Sequence, residues 1–103
     1  MIELRNLRRG QPDQPYDYRA DRQNKILGNF PGQGLPRELA IEAFRKYFDQ
    51  QLADKSLPMN PVRAEMNRLY ALHKKHGRLR LFCWCVPLNC HTEIIRERLQ
   101  SVL

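Results

Sequence analysis

The segment from Leu79 to Cys85 constrains the fold most strongly, because both faces of the strand that it would form are apolar. Alternate side chains of a strand point to opposite faces. A strand that is apolar on both faces is typical of the centre of a covered sheet. We therefore predict a central strand over residues 79–85, with Trp84 in the core. Leu79, Leu81, Cys83 and Cys85 share one face, and Phe82 and Trp84 belong to the other.

Two shorter strands are predicted near the start of the chain. Residues 2–7 partly alternate apolar and polar side chains, and residues 16–20 are rich in tyrosine. Residues 21–35 contain three glycines and one proline but show little periodicity, which predicts a long loop. Long loops in compact domains are usually functional or mobile.

Three amphipathic segments predict helices. The first follows Pro36, which suits a first helical position. The second is bounded by Asn60 with Pro61, a cap followed by proline, and by Gly77 as a C-cap. The third is expected to begin after Asn89 as its cap. The apolar stripes are Ala40, Phe44, Phe48 and Leu52 in the first helix, Val62, Met66 and Leu69 in the second, and Ile95, Leu99 and Val102 in the third.

This order of elements predicts an α/β or α+β fold. We expect a short central sheet of about three strands flanked by about three helices. The chain has 103 residues, of which 42% are hydrophobic. That length and composition fit a single domain over residues 1–103 with one modest core.

The charge balance favours anionic partners. Lys and Arg total 18 against 11 acidic residues, so the net charge is +7, and a basic chain suits nucleotides or nucleic acid. No apolar stretch approaches the ~20 residues that span a membrane, and residues 1–5 lack the apolar region of a signal peptide. We therefore expect a cytoplasmic protein without a membrane partner, whose cysteines are thiols or metal ligands.

All three cysteines and one of the three histidines lie within residues 83–91, between the predicted central strand and the last helix. Such junctions often carry sites in α/β proteins. Cys90 and His91 would occupy the opening turn of the helix, where unpaired N–H groups and the helix dipole favour a thiolate or a bound phosphate. This interpretation makes Cys90, His91 and Cys85 catalytic candidates and makes Cys83 a ligand-binding candidate.

Two other interpretations of these residues stay open. Three thiolates and an imidazole form a ligand set known for zinc, although the C-x-C-x4-C-H spacing differs from that of common zinc motifs. Alternatively, the strand cysteines pack as small apolar side chains and the histidine only helps to cap the helix. No cofactor is therefore certain, and zinc is possible. Its ligands would be Cys83, Cys85, Cys90 and His91.

The start of the long loop is the second candidate binding segment. Arg22 and Lys25 could bind a phosphate, and Asn29 could orient a base or a sugar. Gly28 would let the backbone approach a ligand closely. The alternative is a surface turn that Phe30 pins to the core.

Both segments together resemble a known family. The matching residues are Asn6-Leu7-Arg8-Arg9-Gly10, Arg22, Leu27-Gly28-Asn29-Phe30, Arg37-Glu38 with Ala40-Ile41, and Cys83-Trp84-Cys85-Val86-Pro87-Leu88-Asn89-Cys90-His91. This pattern resembles the domain-of-unknown-function family 4326 over nearly the whole chain. The family usually has G-N-P-F where this chain has Gly28-Asn29-Phe30-Pro31.

The resemblance implies a small bacterial or phage protein without an assigned activity. The cysteine–histidine turn is also similar to that of a second uncharacterised family, in which a glutamate stands at the place of Cys85. That second family is thought to be related to nucleotide-processing folds, which implies a Rossmann-like fold here.

These observations lead to one main hypothesis and one alternative. The main hypothesis is a pocket that binds or processes a nucleotide, a nucleobase or a nucleic acid, formed by the Cys/His cluster and the loop with Arg22 and Asn29. An enzyme of this kind would be a hydrolase or a glycosyl-type transferase, with His91 as acid/base and Cys90 as nucleophile or ligand. The alternative is a non-catalytic phage protein that binds a host protein and whose Cys/His cluster is structural.

Overall fold

The structure is a computed structural model that describes residues 2–21, 23–29, 34–54, 60–84 and 90–101. In chain order its elements are the strands β1 (Ile2–Asn6) and β2 (Asp17–Arg19), the helices α1 (Arg37–Ala53) and α2 (Pro61–His76), the strand β3 (Leu79–Cys83) and the helix α3 (Thr92–Ser101). Over these described residues, the prediction of a mixed α/β fold with three strands and three helices is confirmed.

β3 lies in the centre of the sheet, as its two apolar faces predict. The strand order is β1-β3-β2, and both neighbours run parallel to β3. Ile2 lies opposite Leu79, and Tyr18 lies opposite Leu81. Because parallel strands place their carboxyl ends at the same edge, the segments that follow the three strands all begin at that edge.

β3 ends at Cys83, two residues before the predicted end, and Cys85 lies outside the described residues. Beyond the strand, the side-chain amide of Asn6 donates to the carbonyl of Trp84 at 3.3 Å. The prediction that Trp84 lies in the core is wrong, because its side chain is 47% exposed. Once the strand stops at Cys83, Trp84 belongs to the edge of the sheet and no longer to a covered face.

Local signals set the boundaries of the first two helices. The Asn60 side chain accepts a hydrogen bond from the Arg63 N–H at 2.8 Å, and Pro61 occupies the first turn of α2. Gly77 ends α2 in the left-handed conformation with φ of 71°, which costs glycine little. Pro36 is the N-cap of α1 and not its first residue. The predicted cap Asn89 and the stripe residue Val102 lie outside the described residues.

One apolar core joins the helices to one face of the sheet. Leu79, Leu81, Ile2 and Tyr18 point to that face and belong to the same buried cluster as the helix stripes. Leu52 of the predicted α1 stripe is only partly buried. The helix residues in this cluster are Phe44 and Phe48 of α1, Val62, Met66 and Leu69 of α2, and Ile95 and Leu99 of α3 together with Ile94, which the predicted stripe does not include.

The opposite face of the sheet carries a set of paired charges. Arg80 of β3 lies opposite Asp17 of β2 in the register, and its guanidinium contacts the Asp17 carboxylate through two nitrogens. Backbone N–H groups of Asp13 and Gln14 donate to the same carboxylate at 2.9 and 3.0 Å. We call Asp13, Asp17 and Arg80 the back-face cluster.

Within the described parts of the chain, no helix combines the length and the apolar character that crossing a membrane requires. The Rossmann-like description stays a prediction.

Candidate functional site

A cavity of about 560 Å³ opens at the edge of the sheet where the strands end. Its walls come from the end of β3, the turn before α3, the first turns of α1 and the loop after β2. This is the edge at which ligands bind in open parallel sheets. The lining residues are Asp21, Gln23, Asn29, Leu35, Arg37, Ala40, Ile41, Cys83, Trp84, Cys90 and His91.

Two of the cysteines meet in this cavity. Cys83 ends β3, Cys90 precedes α3, and their Sγ atoms lie 2.9 Å apart. Both side chains are buried, Cys90 to 1% exposure. The hydrogen bond with Cys83 lowers the pKa of the Cys90 thiol; burial acts in the opposite direction, and His91 lowers the pKa further. The cluster therefore favours a thiolate at Cys90.

His91 is held by a hydrogen bond that defines the role of its ring nitrogens. Nε2 lies 2.7 Å from the carbonyl oxygen of Ala20, directly after β2. Since a carbonyl can only accept, Nε2 carries a hydrogen and donates it. Nδ1 then lies 3.5 Å from the Cys90 Sγ. In the neutral ring this nitrogen has a free lone pair that can take the thiol proton. The Phe44 ring packs edge-on against the imidazole at 4.9 Å between centroids.

α3 begins at Thr92, so Cys90 and His91 lie in the turn before the helix and not in its opening turn. The prediction that the helix begins directly after Asn89 is wrong by two residues. The Cys90 carbonyl accepts from the Glu93 N–H at 3.1 Å, and the His91 carbonyl accepts from the Ile94 N–H at 3.0 Å. Thr92, the first residue of α3, is fully buried. Among the described residues its hydroxyl makes no hydrogen bond of ordinary geometry, but it lies close enough to the Cys90 thiol to help lower the pKa of that group.

Three side chains of the cluster could share a metal ion. The ligand atoms of Cys83, Cys90 and His91 all lie within 4.8 Å of one another. The bond from His91 Nε2–H to a backbone carbonyl is the outer-shell contact that orients metal-binding histidines. The residues present therefore fit a metal such as zinc. The fourth predicted ligand, Cys85, lies outside the described residues.

A second polar group lines the same cavity. The Asp21 carboxylate accepts from Nε and a terminal nitrogen of Arg19 at 2.9 and 3.0 Å, and from the indole N–H of Trp84 at 2.9 Å. The hydrogen bond from Arg19 lowers the pKa of Asp21; burial opposes this effect, and the indole N–H adds to it. A fixed carboxylate thus orients an exposed aromatic ring at the cavity wall.

The loop candidates are placed differently from one another. Asn29 lines the cavity with Cys90 and His91, and its side-chain amide donates to the Ala40 carbonyl at 3.0 Å. Gly28 is buried, and its N–H donates to the Asn24 carbonyl at 3.1 Å. Lys25 is exposed, and neither Lys25 nor Gly28 lines the cavity. Arg22 lies outside the described residues.

Sequence reasoning missed Asp21, Trp84 and Arg37 as cavity residues. Asp21 had a usable signal, because a carboxylate directly after a strand of a parallel sheet lies at the binding edge. Trp84 follows β3 at the same edge, but its strand was predicted to continue. Arg37 begins α1, and no local pattern indicates which helix faces the cavity.

Comparison with known proteins identifies one family. A family model described as domain of unknown function (DUF4326) matches residues 5–101, nearly the whole chain. No curated protein and no solved structure matches the chain. The resemblance read from the sequence is thereby confirmed at the level of the family.

Proposed function

Because the chain belongs to DUF4326, a family of domains of unknown function, we propose its function from its cavity: it binds a nucleotide there and processes it with Cys90 and His91. One observation carries the proposal. A Cys–His pair lies in the wall of a nucleotide-sized cavity at the carboxyl edge of a parallel sheet. Its volume of about 560 Å³ falls within the range of small-molecule sites.

The charge at the cavity suits the phosphate of a nucleotide. α1 begins at the cavity with Arg37, and the turn that leads into α3 also lines it. The positive ends of two helix dipoles and one guanidinium therefore face the same space. The net charge of +7 favours the approach of an anion from solution.

The geometry of Cys90 and His91 supports a glycosyl-type transfer. The thiol proton moves to His91 Nδ1, and the Cys90 sulfur attacks the sugar carbon that carries the base. The bond from that carbon to the base breaks, and the imidazolium gives its proton to the departing base. Water then attacks the same carbon and gives a proton to His91, and the bond from the carbon to sulfur breaks, so Cys90 returns as a thiolate and a free sugar phosphate leaves. The Ala20 carbonyl holds Nε2 throughout, so the ring keeps its orientation.

Thermal shift and calorimetry with AMP, GMP, CMP and UMP test the binding. A ligand at about 100 times its Kd adds about 2.7 kcal/mol of stability, which raises the Tm of a domain of this size by more than about 10 °C. We expect such a shift in the wild type. Arg37→Gln should weaken binding about tenfold through the lost phosphate contact, whereas Arg45→Gln, an exposed change outside the cavity lining, should not.

The outcomes for binding and for reaction are separable. No shift with any nucleotide, or equal weakening by both arginine variants, contradicts binding in this cavity. Release of free base from the bound nucleotide, followed by chromatography, tests the reaction. It should stop in a Cys90→Ala/His91→Ala double variant. Binding without release in the wild type would contradict the reaction and leave the binding proposal standing.

A zinc site is the second candidate, favoured by the convergence of three ligand atoms within 4.8 Å. Cys83, Cys90 and His91 would hold the ion, which supplies a positive charge that polarises a phosphoryl or carbonyl group. Elemental analysis of protein purified without chelator decides the matter. About one equivalent of zinc, lost together with stability on chelation, supports the site. Less than about a tenth of an equivalent contradicts it.

A host-protein partner and an origin in a phage or bacterium stay predictions. Pull-down from a host lysate tests the partner. Retention of one acidic protein, unchanged by the Cys90→Ala/His91→Ala variant, would support a binding role that is independent of the cavity. Loss of retention in that variant, or no retention at all, would count against it.

A further inference from the structure

The cavity that holds the Cys–His pair is also lined by the chain's single tryptophan, in an unusual setting. Trp84 is 47% exposed and lines the cavity. Exposing a large aromatic ring to water forfeits about 25 cal/mol for each Å² of apolar surface left unburied. A ring that remains exposed beside a cavity has surface available for a ligand.

The exposed ring is not free to fold back onto the protein. Its indole N–H donates to the Asp21 carboxylate at 2.9 Å. Asp21 is 4% exposed, and two nitrogens of Arg19 clamp it at 2.9 and 3.0 Å. Arg19 is the last residue of β2, so the series of side-chain contacts that links this strand to the indole is short and rigid. The indole is therefore oriented before any ligand arrives, which reduces the entropy that binding must overcome.

We propose that Trp84 is the platform on which the base of a bound nucleotide stacks. This inference rests on the proposed function and assigns the part of the cavity that recognises the base. The base covers the indole, and the phosphate lies toward Arg37 and the starts of the helices. Aromatic side chains can stack on any base, because every base has a planar π-face.

The same cavity suits a planar base better than an aliphatic group. Besides the indole, its lining includes polar side chains, Asn29 and Gln23, which can contact the edge of a base. The two-ring purines cover more of the indole than pyrimidines do. AMP and GMP should therefore bind more tightly than CMP and UMP.

Calorimetry with AMP and ribose 5-phosphate, which lacks the base, tests the platform. The wild type should bind AMP at least about tenfold more tightly than ribose 5-phosphate, because stacking contributes on this scale. Trp84→Leu should lose that preference but keep its affinity for ribose 5-phosphate. Trp84→Phe, which retains an aromatic ring, should keep most of the preference for AMP over ribose 5-phosphate. Leu39→Ala serves as the control, since Leu39 is also exposed, at 52%, but does not line the cavity.

Fluorescence gives an independent reading, because Trp84 is the only tryptophan. AMP should quench its emission, and ribose 5-phosphate should leave it nearly unchanged. Equal affinity of the wild type for both probes, or an unchanged AMP preference in Trp84→Leu, overturns the platform while the phosphate-binding cavity stands. If neither AMP nor ribose 5-phosphate binds, the proposed function fails and the platform fails with it. Circular dichroism confirms that each variant is folded.

Discussion

Two polar clusters of this protein differ in their access to a ligand. One is the back-face cluster, and the other is the thiol–imidazole cluster of Cys83, Cys90 and His91, which lines the cavity. In the back-face cluster, the Asp17 carboxylate receives two contacts from Arg80 and two backbone N–H bonds. In the thiol–imidazole cluster, three ligand atoms converge beside an open cavity.

This difference separates stability from function. A buried carboxylate whose acceptors are all used stabilises one conformation and has little capacity left for a ligand. A cluster of thiols and an imidazole beside a cavity lies where a ligand can reach it, and proteins keep such sites at some cost in stability. The comparison predicts that substitutions in the back-face cluster lower the free energy of unfolding but leave ligand binding unchanged. Substitutions in the cavity should weaken ligand binding with little loss of stability.

The largest effect is expected from Arg80→Ala. Asp17 is 1% exposed, so the variant leaves a buried carboxylate without its cation. Removing one partner of a buried pair costs about 3 kcal/mol or more of the free energy of unfolding, which urea denaturation measures. Arg45→Ala removes an exposed ion pair with Glu97 and should cost less than about 1 kcal/mol. If Arg80→Ala lowers the free energy of unfolding no more than Arg45→Ala does, the contrast between the two clusters is contradicted.

Lowering the pH should weaken the same ion pair between Asp17 and Arg80. Burial opposes ionisation of Asp17, but the hydrogen bonds from Arg80 and from two backbone N–H groups outweigh it and lower the pKa from 3.8 to about 2. Because the pKa is lower in the folded state, the stabilisation is complete above the unfolded pKa. It is lost as the pH falls from about 4 to about 2, and it amounts to about 2 kcal/mol.

A comparison with Asp17→Asn isolates this contribution. The difference in unfolding free energy between the wild type and Asp17→Asn should shrink as the pH falls through that window, as measured by urea denaturation at each pH. A difference that stays constant from pH 5 to pH 2 would show that Asp17 is not held as the structure places it.

The smallest effect has the opposite sign. Thr92→Val removes a buried hydroxyl that makes no hydrogen bond of ordinary geometry among the described residues. The side chain keeps its size, so the free energy of unfolding should rise by up to about 1 kcal/mol. Tyr18→Phe is the matched control. The Tyr18 hydroxyl bonds to Glu65 and Asn24, so its removal should cost about 1 kcal/mol or more. Destabilisation by Thr92→Val would mean that its hydroxyl has a partner.

Elements with local signals could be predicted from the sequence. The central place of β3 follows from its apolar faces, and the ends of α2 follow from Asn60, Pro61 and Gly77, whose backbone preferences do not depend on distant contacts. The place of Cys90 and His91 between β3 and α3 could be predicted because a strand pattern and a helix pattern flank them, although the helix begins two residues later than predicted.

Features that depend on distant contacts could not be predicted. β1 pairs with β3 across more than 70 residues of chain, and no local pattern gives that register. The exposed position of Trp84 depends on its bond to Asp21, 63 residues away in the sequence, and on an early end of β3 that no local pattern indicates. The cavity role of Arg37 likewise depends on how the loop before α1 returns to the sheet. Tertiary context therefore decided the walls of the cavity, whereas local sequence indicated its reactive groups.

The most direct test of the central claim is the map of backbone and indole ¹H–¹⁵N resonances of the protein titrated with AMP. The cavity is predicted to be the binding region, so the resonances of Cys90, His91, Arg37 and the Trp84 indole should shift with one common Kd. Those of Asp17 and Arg80 should stay in place. Shifts confined to the back face, or none at any of these positions at millimolar AMP, would contradict the claim that this cavity is a nucleotide site.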